Sequence, residues 1–191
     1  MRSNQFIFVL YGQSQANAES IIADGAVPLT DKGVDQARIT GLEVKKLGIT
    51  TIVCSPYLRA QQTAQIIAGE LGIDLAHIKI IEELRERGLG SCEGKPKVQA
   101  SEWYSQSDDP TLEPRQTLLD RMHAALESIR AIDSKGLILV VWHVISCFYL
   151  SEAAKGAGLL AEMGSDNQIG NADFVKIEIA TQEKNQIEYR N

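Results

Sequence analysis

The chain has 191 residues, of which 44% are hydrophobic and 23% are charged, the composition of an ordinary globular protein. Its formal net charge of −6 argues against a general nucleic-acid or membrane-surface binder, but leaves room for a small basic pocket for phosphate. A chain of this length can bury a core without disulfides, so we expect one domain spanning residues 1–191.

The first half of the chain alternates strand and helix patterns. Residues 5–11 are apolar without alternation, as expected of a strand buried on both faces. A helix is predicted at residues 30–47, capped by a threonine and followed by Gly48. Residues 50–54 are a second predicted strand, and Pro56 is expected to begin the next helix. The apolar stripe of that helix consists of Ala60, Ala64, Ile67, Ala68 and Leu71.

The second half continues the alternation around one irregular segment. Residues 78–81 are predicted as a strand, and residues 118–129 carry the apolar face of a helix. Between them, residues 91–114 have weak periodicity and contain prolines, which predicts a lid or insertion. The last predicted elements are a buried strand at residues 136–142, a helix at 144–155, and a hairpin whose two strands lie at 174–180 and 187–189.

Strands that alternate with helices predict a three-layer α/β/α sandwich with a mostly parallel central sheet. Ligands bind such sheets at the carboxyl ends of the strands. Tyr11, Ser55 and His143 each follow the end of a predicted strand. We therefore expect these three side chains to converge in one pocket.

The cysteines and the apolar segments bear on the compartment. Cys54, Cys92 and Cys147 leave one thiol unpaired in any disulfide scheme and form no Cys-x-x-Cys motif, so we expect a reducing, cytoplasmic setting. The apolar run at residues 6–10 is shorter than a typical signal-peptide core, and we expect no signal peptide. The longest apolar stretch, residues 137–150, is too short to span a bilayer.

Six short blocks of sequence follow one another in a recognisable order. They lie at residues 10–17, 28–37, 55–64, 84–94 and 140–143, with Asn171 before the last strands. The most specific block is 55–64, which reads Ser-Pro-Tyr-Leu-Arg-Ala-Gln-Gln-Thr-Ala. Together the blocks resemble the histidine phosphatase (phosphoglycerate mutase-like) superfamily, whose first block reads Arg-His-Gly-Glu/Gln-Thr/Ser-x-x-Asn. One such block would be weak support, whereas six in the right order are strong support.

The resemblance implies transfer of a phosphoryl group to the first histidine of the family, and from there to water or another oxygen. Such chemistry depends on positioning and on neutralising the charge of the phosphoryl oxygens. By position in the blocks, Arg59 and His143 belong to the phosphate pocket, and Glu86 is the general acid, with Glu83 as the competing candidate. Three residues of the first block are expected beside the phosphate or the substrate: Gln13, Ser14 and Asn17.

The first block departs from the family at its two reactive positions. Leu10 replaces the arginine and Tyr11 replaces the nucleophilic histidine. If each lost charged hydrogen bond is worth roughly 1.5–3 kcal/mol, phosphate binding weakens by about two to four decades. A free phenol is ionised to only about one part in a thousand at pH 7, so Tyr11 is a poor substitute nucleophile. The family's His-Gly is His143-Val144 here, unless a short deletion follows His143, and both alignments stay open.

These departures predict a catalytically inactive or severely impaired family member with a residual anion pocket and a binding or regulatory role. The alternative is a weakly active phosphomonoester hydrolase or phosphomutase that uses His143 and Glu86 without the usual nucleophile. A structural subunit whose pocket is filled by its own side chains is a third possibility. We expect a phosphate-bearing small molecule or a phosphoprotein as partner, and no cofactor. We expect no metal either, because His143 and Cys147 alone are too few ligands.

Overall fold

A computed structural model of the chain describes residues 5–98, 109–146, 149–150, 170–178 and 187–189. Several predicted features extend beyond these residues. Residues 99–108 of the predicted lid, Cys147 and residues 151–155 of the helix after His143, and the end of the predicted strand 174–180 lie outside the described residues.

Within the described residues, six strands form one sheet in the order β3-β2-β4-β1-β5-β6. The strands are β1 (Gln5–Leu10), β2 (Ile49–Cys54), β3 (Ile78–Ile80), β4 (Leu137–Trp142), β5 (Phe174–Glu178) and β6 (Ile187–Tyr189). β1 pairs in parallel with β4, and β2 pairs in parallel with both β4 and β3. β5 and β6 are added at one edge by antiparallel pairing. The predicted mostly parallel sheet is therefore confirmed.

The described α-helices with defined bounds are α1 (Gln15–Ala18), α2 (Asp31–Val44), α3 (Leu58–Leu71) and α4 (Arg115–Arg130), and residues 97–98, 144–146 and 149–150 are also helical. Helix α2 passes into a short 3-10 turn, which ends at Gly48 in the left-handed conformation with φ 73°. This is the end that the sequence predicted, because a residue without a Cβ adopts that conformation at little cost.

The prediction that Pro56 begins helix α3 is wrong, because the helix begins at Leu58. The Ser55 hydroxyl accepts the N–H of Tyr57 at 3.3 Å, and Tyr57 stays extended with φ −71° and ψ 138°. The N–H of Leu58 then donates to the carbonyl of Gly25 at 2.9 Å. These contacts hold residues 55–57 as a bend and delay the helix by two residues.

Both faces of the sheet are buried, which explains why β1 reads as a continuous apolar run. Phe6 and Phe8 of β1 pack on one side against a cluster that includes residues of α4. Ile7 and Val9 pack on the other side against a cluster that includes residues of α3. Helices therefore cover the sheet on two sides, and the predicted three-layer α/β/α arrangement is confirmed.

The end of β1 and the start of α2 are in direct backbone contact. A Cβ on Gly12 would collide with the carbonyl oxygen of Gly33, and a Cβ on Gly33 would collide with the carbonyl oxygen of Gln13. The side-chain oxygen of Gln36 accepts the N–H of Gln13 at 2.9 Å across the same contact. The absence of side chains at both glycines allows this close backbone contact, which lies directly after residue 11.

Candidate anion pocket

Three side chains meet at the carboxyl ends of β1, β2 and β4. The Nε2 atom of His143 lies 2.7 Å from the hydroxyl of Ser55, and both residues are fully buried. The ring of Tyr11 is 5.2 Å, centroid to centroid, from the ring of His143. The structure thus brings together the three residues that the strand pattern predicted to converge.

Arg59 lies in the first turn of α3 and is only 2% exposed. Its Nη2 atom is 3.3 Å from Nδ1 of His143, and its Nη1 atom donates to the carbonyl oxygen of Asp24 at 2.6 Å. The Nε atom is buried and has no hydrogen-bond partner among the described residues. The guanidinium is therefore bound to the protein on two nitrogens and unpaired on the third.

Two tyrosine rings flank this guanidinium. The Cζ atom of Arg59 lies 4.8 Å from the ring centroid of Tyr11 and 5.0 Å from that of Tyr57, distances at which cation–π attraction operates. The ring of Tyr57 also meets His143 edge-on at 5.2 Å. Burial and the charge of Glu93 raise the pKa of Tyr57, so this residue is a neutral phenol. Residue 11, where the family has its nucleophile, is therefore the ring of Tyr11, and this ring packs against Arg59 and His143.

The hydrogen-bond partners of His143 fix its tautomer. A guanidinium can only donate, so Nδ1 of His143 accepts from Arg59 and Nε2 carries the proton donated to Ser55. Burial lowers the pKa of His143 well below 6.5, and the positive charges of Arg59 and Arg121 lower it further. His143 is therefore neutral at pH 7 and adds no positive charge to the pocket.

Glu86 is held by backbone donors on both sides. Its Oε1 atom accepts the N–H of Arg87 at 3.0 Å and of Ser146 at 2.8 Å, and its Oε2 atom accepts the N–H of Ile145 at 3.1 Å. Burial raises the pKa of Glu86, while these three bonds and the charge of Arg59 oppose the rise. Of the two acidic candidates, Glu86 is the one whose carboxylate contacts the backbone that follows His143.

A buried ion pair that the sequence analysis did not identify supports the segment that carries Glu86. Nε and Nη2 of Arg121 donate to the two carboxylate oxygens of Glu113 at 2.8 and 2.6 Å. Nη1 of Arg121 also donates to the carbonyls of Glu83 and Arg85, at 2.6 and 2.7 Å. Burial would raise the pKa of Glu113, but the hydrogen bonds and charge of Arg121 keep it below its ordinary value. One signal was available, because Arg121 lies three residues after Leu118 on the apolar face of α4.

The other predicted residues of the first block stabilise the local backbone. Ser14 caps α1: its hydroxyl accepts the N–H of Asn17 at 3.2 Å, and Asn17 Oδ1 accepts the N–H of Ser14 at 3.1 Å. Asn171 donates to Asn17 Oδ1 at 3.3 Å, and the side-chain oxygen of Gln13 accepts the Thr30 hydroxyl at 3.0 Å. The described hydrogen bonds of Gln13, Ser14 and Asn17 thus run to neighbouring turns and helix starts, and none runs to Arg59 or His143.

The part of the chain that the structure describes holds neither a metal-ligand cluster nor a membrane-spanning helix. No three His, Cys, Asp or Glu side chains come together there as ligands for a metal ion. No helix in those residues has the length and apolar character needed to cross a membrane.

Sequence comparison identifies relatives over most of the chain. The sequence profile of the histidine phosphatase superfamily (branch 1) matches residues 6–191. The "Probable phosphoglycerate mutase GpmB" of Escherichia coli is 34% identical over 170 residues, which cover 83% of this chain and 78% of that protein.

Solved structures share the fold. A mycobacterial glucosyl-3-phosphoglycerate phosphatase, determined with VO3, superimposes with a TM-score of 0.74 at 20% identity and covers 92% of this chain and 91% of its own. The α-ribazole phosphatase from Shigella flexneri gives a TM-score of 0.74 at 21% identity, over 96% of this chain and 95% of its own. At these identities the likeness concerns the fold alone.

Proposed function

Because this chain belongs to the histidine phosphatase superfamily (branch 1), we propose that it is a catalytically impaired member with a ligand-binding or regulatory role. The observation that carries the proposal is the ring of Tyr11, which stands where the family has its nucleophilic histidine. That ring packs against Arg59 and His143. An aromatic ring buried in this way lacks the imidazole nitrogen that would accept phosphorus.

The charges of the pocket support the same conclusion. Phosphoryl transfer needs positive groups around the phosphoryl oxygens. Leu10 lies in an apolar cluster at 5% exposure, and His143 is neutral because burial, together with the charges of Arg59 and Arg121, lowers its pKa. Arg59 is then the single positive charge left at the positions that the family motifs assign to the phosphate, and one guanidinium favours binding more than turnover.

We expect the ligand to carry a phosphate. The relatives named above are a phosphoglycerate mutase and phosphatases, and the unpaired Nε of Arg59 suits an anionic oxygen. A phosphorylated small molecule is our first candidate and a phosphoprotein the second. The proposal also places Gln13, Ser14 and Asn17 on the side of the pocket that faces the ligand, and assigns residues 91–114 as its lid.

The proposal includes one domain for residues 1–191 and a cytoplasmic location. Cys54 and Cys92 are buried free thiols, which suits a reducing compartment. Burial raises the pKa of the Cys54 thiol to about 12, so this group is unreactive.

The alternative of a weak hydrolase that relies on His143 and Glu86 has less support. Both ring nitrogens of His143 are engaged, by Arg59 and by Ser55. Both oxygens of the Glu86 carboxylate accept backbone N–H groups. His143 therefore presents no free proton acceptor to a water molecule in this arrangement, and three backbone N–H groups occupy most of the acceptor sites of the Glu86 carboxylate. Aryl phosphate turnover that disappears in His143→Ala would restore this alternative.

Restoring the reactive positions tests the proposal. We expect the wild-type chain to hydrolyse p-nitrophenyl phosphate at least about a thousandfold more slowly than the structural relative that is named as a phosphatase, the mycobacterial glucosyl-3-phosphoglycerate phosphatase, assayed in parallel. Tyr11→His combined with Leu10→Arg should give measurable turnover. Because Leu10 is buried in an apolar cluster, Tyr11→His alone and a thermal melt of each variant accompany the assay. Wild-type turnover at the relative's rate, with a phosphorylated Tyr11 that forms and decays at that rate, would refute the proposal.

A further inference from the structure

We propose that a gate, formed by the Asp24–Gly25 turn and the ring of Tyr57, encloses Arg59 and opens when an oxyanion with two oxygens on one atom binds the guanidinium. The inference builds on the anion pocket of the proposed function. It adds the geometry that the ligand must have and a movement that binding must produce.

The donors of Arg59 define the ligand. A guanidinium presents five N–H groups in one plane, and oxyanions pair with it through two parallel hydrogen bonds. Nη1 donates to the Asp24 carbonyl, and Nη2 donates to His143. The Nε–H group is buried without an acceptor. The neighbouring Nη2 has two hydrogens, and only one of them is needed for the bond to His143. The edge formed by Nε and Nη2 therefore offers two N–H donors to adjacent oxygens of one phosphate or carboxylate.

The surroundings of Arg59 define the route to that edge. Ser55 and His143 are fully buried, and Tyr11 is 8% exposed, so these residues lie on the side of Arg59 that is away from solvent. Tyr57 is half-buried and Asp24 is exposed, so the contacts of Arg59 that reach the surface come from the turn and this ring. An anion that approaches Arg59 from solvent has to displace one or both of them.

The turn and the ring are coupled. A Cβ on Gly25 would lie 3.0 Å from two ring carbons of Tyr57, which shows that the turn packs directly on the ring. The N–H of Leu58 donates to the Gly25 carbonyl at 2.9 Å and ties the turn to the first residue of α3. Release of Arg59 from the Asp24 carbonyl should therefore also loosen the bond between Leu58 and Gly25.

Substitution at Leu58 can weaken the gate selectively. Leu58→Pro removes the N–H that holds Gly25, and proline suits the first position of a helix. Tyr57 is already extended, as the residue before a proline prefers, and the Leu58 side chain is 38% exposed. Leu58→Ala is the matched control, because it shortens the same side chain and keeps the N–H.

Nuclear magnetic resonance of the intact chain tests the inference. Inorganic phosphate should shift the Nε–H resonance of Arg59 and speed hydrogen exchange of the Leu58 amide, whereas chloride at equal ionic strength should do neither. Leu58→Pro should bind phosphate about two- to tenfold more tightly than Leu58→Ala, the factor that one hydrogen bond of the closed state represents.

The results of these measurements distinguish failure of the gate from failure of the proposed phosphate-binding pocket. Phosphate binding at Arg59 that leaves Leu58 exchange unchanged, with equal affinity in both Leu58 variants, would overturn the gate and leave the proposed pocket standing. No phosphate binding by wild type or by Leu58→Pro would overturn the gate and the ligand-binding half of the proposed function. The phosphatase assay would still judge the catalytic half. Should Leu58→Pro fail to fold, wild-type exchange at the Leu58 amide decides the question alone.

Discussion

The protonation state of His143 follows from the chemistry of its two neighbours. Arg59 can only donate and therefore requires an acceptor at Nδ1, while Ser55 receives the remaining proton at Nε2. Burial lowers the pKa of His143 well below 6.5, with the charges of Arg59 and Arg121 acting in the same direction. Arg59 thus binds the ring, and burial together with the charges of both arginines keeps the ring neutral.

This arrangement predicts how stability depends on pH. Below pH 6.5 the histidine of the unfolded chain takes up a proton, whereas folded His143 stays neutral, so protons favour unfolding. The contribution of His143 is therefore complete above 6.5 and is lost as the pH falls towards the folded pKa. We expect the free energy of unfolding to fall between about pH 7 and 5 through this residue, by at most about 1.4 kcal/mol per pH unit.

Urea unfolding of wild type and His143→Gln at several pH values measures this contribution. The glutamine amide can still accept from Arg59 and donate to Ser55, but it does not titrate. Burial raises the pKa of Glu86, which gives an opposite dependence above 4.5, and this contribution is common to both proteins. A difference in unfolding free energy that does not change with pH would contradict the prediction.

The segment around Glu86 depends on helix α4 rather than on its own regular structure. Arg121 reaches from α4 to three carbonyls of that segment, those of Glu83, Arg85 and Glu86. Glu113 accepts from Arg121 and also from the N–H of Gly88 at 3.0 Å. One buried ion pair thereby joins a helix, the segment before the lid and the residue expected as general acid.

Removal of one partner of this pair should be costly. Arg121→Met leaves the Glu113 carboxylate buried without its main partner, and we expect a loss of about 3–5 kcal/mol in unfolding free energy. The double variant Arg121→Met, Glu113→Gln removes the unpaired charge and should recover part of that loss. Chemical denaturation of the three proteins makes the measurement. A loss below about 1 kcal/mol in the single variant would show that the pair is solvated.

Across the whole molecule, burial is greatest in the middle of the sheet. β1 and β4 have neighbours on both sides and apolar clusters on both faces, whereas β3 is an edge strand in which Ile80 is 51% exposed. Local opening should therefore be easier at β3. We expect amides of β1 and β4 to exchange at least about tenfold more slowly than those of β3, as measured by native-state hydrogen exchange. Equal protection of all three strands would contradict this.

Local sequence patterns were sufficient to predict the fold class, because burial and backbone conformation determine which residues a strand or a helix end contains. The apolar run of β1 reflects burial on two faces, and Gly48 ends a helix because it lacks a Cβ. The predicted meeting of Tyr11, Ser55 and His143 followed from strand ends in a parallel sheet. These features need no knowledge of distant contacts.

Two of the features that the sequence missed are contacts to backbone carbonyls far away along the chain. Pro56 lies before the helix it was expected to begin, because the bend also depends on the Gly25 carbonyl, more than thirty residues away along the chain. The acceptor for Arg59 is a backbone carbonyl at Asp24, which no side-chain pattern reveals. The ion pair between Arg121 and Glu113 was also missed, although both residues carry charges that the sequence shows.

The backbone contact between Gly12 and Gly33 has a consequence for how such families are recognised. Two of the motif positions that this chain shares with its family are required by close packing between a strand end and a helix start, whatever reaction follows. A sequence-motif score that counts these glycines therefore reports that the fold is present, and it does not report catalytic activity. Such a score would rank a chain with tyrosine at the histidine position beside chains that keep the imidazole, so a proposal about activity in this chain has to be tested at residues 10 and 11 themselves.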